Sequence, residues 1–343
     1  MKKVFFITII SISLALIIFS LVSSGCGKII SIEGVELRKV EKAKKEPLEE
    51  EKNIEFTPEG SLSIGSFVLF GKYQVESEDP IPILWRVIEN KSHYRGNVNP
   101  DEKHMTLLAE YIIDLRGFDA EEPESEWEFR AKYGNNRYRF STLRQWLNSS
   151  KKAYNWWEPQ HETDAEPVDE NFKSNRPTGY EDKDGFLNSF TPEELGLILD
   201  TNLECGINSN ADGGGIEVVT DKIFLLSLTE VGLSEEESKN YFEGNPFVIF
   251  NSYESRLAII SLQCYENTES VQKSRTPEAS YGWWLRSPYS WGEYDVWNVD
   301  NQGKAEHRRA HLDAFGVRPA LNIKYEGLTF LGSGTIDDPY IIE

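Results

Sequence analysis

Apolar residues fall in short runs along the chain, and the spacing within each run predicts its element. "IGSFVLFGKYQV" (64–75) is rich in apolar and β-branched residues, and "PILWRVIEN" (82–90) alternates Ile83, Trp85 and Val87 against Leu84, Arg86 and Ile88. Both read as strands, the second apolar on nearly both faces, and together they predict an antiparallel pair. "HMTLLAEYIID" (104–114) predicts a further buried strand. In "FSTLRQWLN" (140–148) the period changes: Leu143, Trp146 and Leu147 stand at i, i+3 and i+4 behind Ser141, which predicts a short capped helix. "TPEELGLIL" (191–199) carries a fuller start signal, with Thr191 as cap, Pro192 in the first turn and Glu194 closing a capping box. "SEEESKNYF", from Ser234, repeats that pattern more weakly.

Between the first two helices, residues 149–185 are polar and rich in turn formers, the profile of a long functional or disordered loop. Strands resume at "DKIFLLS" (221–227), "WWLRSP" (283–288), "YDVWNVD" (294–300) and "GVRPALNI" (316–323). Strands, then helices, then strands predict an α+β domain with a mainly antiparallel sheet, a few short helices and long loops. We place that domain at residues 61–325, with the insertion at 149–185 and a tail, 326–343, packing on it.

The ends add an address. Lys2 and Lys3 precede a nearly all-apolar run from Val4 to Val22, the form of a secretory signal. It closes on Ser23-Ser24-Gly25-Cys26, which resembles a bacterial lipobox, although Ser23 stands where Leu is preferred. We therefore expect a signal peptide over 1–25, lipidation of Cys26, and a charged tether over 26–60. The other reading of this segment is an uncleaved anchor helix. Either way the chain is held to the cell membrane outside the cytoplasm. The formal charge of −21 disfavours nucleic acid as a partner, while 39% hydrophobic residues and nine tryptophans suffice for a sizeable core. Cys205 and Cys264 are the other two cysteines, and their pairing is open.

"STLRQWLN", "DKIFLLS", "WWLRSP" and "GVRPAL", in that order, resemble the bacterial domain of unknown function 6273, found in many extracytoplasmic proteins. The likeness extends over 64–323 and implies no particular activity. The Trp-rich strand and the late Gly-x-Arg strand show a more distant, fold-level likeness to the formylglycine-generating and C-type-lectin-like fold, which implies that loops carry any binding. The family runs almost directly from "LRxWLN" into a segment like "FLNSFTPEE" (186–194), so the 149–185 insertion is this chain's own.

Trp283, Trp284, Arg286, Gly316 and Arg318 form the shared motif. As core elements, the arginines lie across rings or pair with carboxylates. As a site, Arg286 and Arg318 hold an anionic or sugar ligand. Tyr154, Trp156 and Trp157 in the insertion are the other ligand candidates: a platform for glycan, or a hydrophobic clip. "NSNADG" (208–213) starts like a calcium loop but has Val219 at the twelfth position, and His307 with His311 lacks a third metal partner. No metal, cofactor or catalytic residue is assigned. The expectation is a membrane-anchored recognition domain for glycan or a surface protein. The alternative is an envelope hydrolase or modifying enzyme using carboxylates.

Overall fold

The computed structural model describes residues 62–73, 75, 79–90, 103–172, 180, 182–233, 243–311 and 315–342. The leader, Cys26, the tether and the segment beginning at Ser234 lie outside the described residues. Among those described, no helix is long and apolar enough to cross a membrane.

Alternation works as expected at the start. β1 (Phe67–Tyr73) and β2 (Ile81–Glu89) pair antiparallel with Val68 opposite Trp85, and the Trp85 indole donates to the Phe70 carbonyl at 2.7 Å. β3 (His104–Ala109) is buried at every position and pairs with β2. On its other side it meets β12 (Ala320–Lys324), which in turn pairs with β7 (Ile223–Phe224). The tail closes the opposite edge. β14 (Tyr340–Ile342) runs parallel to β1, and β13 (Phe330–Leu331) pairs with β14, giving seven strands in the order β13-β14-β1-β2-β3-β12-β7.

A second sheet holds β4 (Asp114–Arg116), β8 (Trp283–Pro288), β9 (Asp295–Val299), β10 (Ala305–Arg309) and β11 (Phe315–Val317), in the order β10-β9-β8-β11-β4. Two chain segments belong to both sheets. β3 continues into β4 and β11 into β12, and they remain antiparallel partners throughout, turning from one sheet to the other at 110–113 and at Arg318-Pro319. Pro319 lacks an N–H, which suits the break between β11 and β12. Gly316 answers to a close approach: a Cβ there would sit 2.6 Å from the Gly282 carbonyl oxygen, where β8 and β11 pair in parallel. A separate hairpin joins β5 (Thr201–Gly206) and β6 (Ile216–Asp221). The fold is α+β with mostly antiparallel sheets.

The helices are short. α1 (Glu128–Tyr133) was not expected. α2 (Thr142–Leu147) starts at Ser141, whose hydroxyl accepts from the Arg144 N–H at 3.2 Å, and it buries Leu143, Trp146 and Leu147. α3 (Pro192–Leu197) carries the complete Thr191/Glu194 capping box. It stops two residues earlier than its apolar pattern because Ile198 turns extended and bridges to Ile323. All six residues of "WWLRSP" are buried, so both faces of β8 are covered.

Candidate functional site

The insertion is closed at its base. The Leu187 N–H donates to the Ser149 carbonyl and the Gly185 N–H to that of Lys151, both at 2.9 Å. A Cβ on Gly185 would lie 2.3 Å from the Ser149 carbonyl oxygen, so only glycine allows this closure. Two indoles then fix the returning strand of the loop. Trp146 of α2 donates to the Asp184 carbonyl at 2.9 Å, and Trp156 donates to the Lys183 carbonyl at 2.8 Å. Residues 182–189 thereby form one wall of a polar cavity of about 580 Å³, and Lys72, Tyr73, Val75 and Pro80 form the facing wall.

Its chemistry is mixed. Lys152 pairs with Asp184 at 2.6 Å, and that hydrogen bond holds the Asp184 carboxyl below the usual carboxylate range. Asp184 is therefore a charged acceptor, not an acid with a proton to give. The Lys183 stem is buried and its ammonium donates to the Val75 carbonyl. Lys72 and Asp182 are exposed and make no ion pair among the described residues. Tyr73 supplies ring surface and packs at 5.4 Å on the buried Phe186, and the Tyr73 hydroxyl is engaged by Asp114. Donors, acceptors and rings thus line a concavity of ligand size.

Of the sequence candidates, Tyr154, Trp156 and Trp157 come together around a small cavity of about 30 Å³, and Arg286 and Arg318 are not part of it. Tyr154 is 73% exposed and holds φ at +63°, a left-handed conformation that tyrosine rarely adopts. Trp156, by contrast, is only 5% exposed and packs edge-on to Tyr180, so it belongs to the clip and not to a surface platform. Trp157 is half-buried and packs on the core. Arg286 is wholly buried. Its guanidinium pairs with Glu230 through both terminal nitrogens and also donates to the carbonyls of Glu204 and Leu225. Arg318 sits at the corner between the sheets, donating to the Ala109 carbonyl at 2.9 Å with its guanidinium 5.1 Å from the Trp283 ring centre. Trp283 and Trp284 are fully buried, bonded to the carbonyls of Arg256 and Arg116. Both arginines serve the core, since burial and these partners leave no face for a ligand.

Among the described residues, Glu122, His161 and Asp164 are a group that could hold a metal ion. Both ring nitrogens of His161 are taken, however: Nδ1 lies 2.7 Å from Asp164 and Nε2 lies 3.2 Å from Glu122. Asp164 first, then Glu122, push the imidazole up to about 10, so the ring is an imidazolium clamped between carboxylates. It ties the insertion to the body. The "NSNADG" loop is likewise structural: Asp212 pairs with Arg130 at 2.6 Å, and Asn208 donates to the carbonyls of Tyr289 and Gly292. His307 stacks on Tyr289, and His311 packs against Tyr133. Cys205 and Cys264 are buried free thiols, and burial pushes both upward.

Sequence reasoning missed Lys72, Asp182 and Asn188 as site residues, because nothing in their local pattern announces a cavity wall. Comparisons with curated proteins and with solved structures find no match, so the likeness to the C-type-lectin-like fold rests on sequence alone. The family model of a domain of unknown function, DUF6273, matches residues 102–325. With more than half of its residues matched, the chain belongs to the DUF6273 family.

Proposed function

We propose that the chain is an extracytoplasmic, lipid-anchored recognition protein whose domain binds a hydroxyl-rich ligand, a glycan of the cell envelope. The observation that carries this reading is the 580 Å³ polar cavity at the base of the insertion, where Lys72, Lys152, Asp182 and Asn188 alternate donors with acceptors beside the half-buried ring of Tyr73. Sugars offer hydroxyls to such groups and C–H faces to such rings. A concavity of this size fits a small ligand better than a protein surface, whose interfaces are broad. The signal-like leader and Cys26 support the anchored location.

The test is retention on cell-wall polysaccharide by wild type, Lys72→Ala and Asp182→Ala. Both side chains are exposed, so the variants should melt as wild type does. Each should bind about tenfold more weakly, the scale of losing one hydrogen bond to a charged group. Retention equal to wild type in both variants would remove the cavity as the site.

A further inference from the structure

Beside the polar cavity lies a second of about 410 Å³, and the two share Tyr73 as a wall. Neighbouring residues also divide between them: Pro80 lines the first and Ile81 the second. The second is apolar in character. Its walls come from β2 (Ile81, Ile83, Leu84), from Ile113 at the corner between the sheets, and from Ile259 and Leu262. Leu262 is 59% exposed and Ile81 45%, so two large aliphatic side chains face water at a concave site, where surface aliphatics gain nothing unless covered.

We propose that the ligand is an amphiphile: a sugar carrying a single aliphatic chain, with the chain in the 410 Å³ cavity and the sugar in the polar one. This rests on the polar-cavity reading for its head group. Two features favour this occupant over a protein segment. The apolar space adjoins a polar one through a shared wall, and its volume lies at the small end of ligand sites, enough for one chain.

The experiment measures binding of glucose and of hexyl, octyl and decyl glucoside, each below its micelle concentration, to the full chain by titration calorimetry. Affinity should rise about fourfold for each added methylene until the cavity is filled. That gain should be lost in Ile81→Glu and Leu262→Glu, whose exposed positions leave the fold intact, and a thermal melt of each variant checks this. If glucose binds as well as octyl glucoside, the amphiphile is overturned while the polar cavity stands. If 1-octanol binds as well as octyl glucoside and Asp182→Ala changes nothing, the apolar cavity acts without the polar one, and both readings of the head group fall. Absence of binding by every probe overturns the proposal as well.

Discussion

Arg286 and Arg318 are both buried, yet they are held in different ways, and the difference is measurable. Arg286 and Glu230 have side chains without exposure and share two hydrogen bonds. Removing one partner strands the other charge, so Arg286→Met should cost about 3–5 kcal/mol, and adding Glu230→Leu should recover the part due to the stranded carboxylate but not the lost hydrogen bonds to the Glu204 and Leu225 carbonyls and from the Ser227 N–H. Arg318 has one backbone hydrogen bond, Glu110 at 4.0 Å and an Nη1 without a hydrogen-bond partner, and burial brings its guanidinium down to about 10. Its replacement by Met should therefore change stability by no more than about 1 kcal/mol, as the desolvation it relieves offsets the contacts it loses. Chemical denaturation of the four proteins decides both. Trp283→Ala should cost about 3–5 kcal/mol, because a fully buried ring leaves a cavity. An unchanged midpoint in that variant would contradict its place in the core. The sequence left these arginines two roles, lying across a ring or against a carboxylate in the core, or holding a ligand. Which one did which was hidden, since Glu230 lies 56 residues from Arg286.

At the scale of the element, the insertion behaves as a built part of the domain. Its helix-side neighbour was legible, because Ser141, Leu143, Trp146 and Leu147 spell a capped amphipathic turn. Its own interior was not: the bonds that fix it join Trp156 to Lys183 and His161 to Glu122, partners that no local periodicity relates. Trp156→Ala should therefore lower stability by about 3 kcal/mol and also weaken ligand retention, because Lys183 and its neighbours lose their anchor. The His161 clamp adds a pH dependence with a defined sign. The ring's folded value, about 10, lies above its ordinary 6.5, so its contribution is complete below about pH 6.5 and drains away as pH rises through about 10. The stability gap between wild type and His161→Gln, measured by urea unfolding, should be widest at about pH 6 and narrow steadily toward pH 10. A gap that widens with pH would refute the imidazolium.

For the whole molecule, the order of strands and helices was enough to predict an α+β domain with antiparallel pairing. It did not show that two sheets exist, because β3–β4 and β11–β12 each read as one apolar run and the bend between sheets leaves only Arg318-Pro319 as a trace. Nor did it show that the tail becomes part of the large sheet. That feature bears on the order of assembly. β14 pairs in parallel with β1, with Tyr340 beside Val68, so one face of the first described strand waits for residues almost at the other end of the chain. Contacts of such sequence separation are formed late and slow a fold. During synthesis, β1 and β2 can close as a hairpin while the outer hydrogen-bonding edge of β1 stays open, and an open edge invites pairing with another chain. The domain's most vulnerable moment is thus the interval before β14 is made.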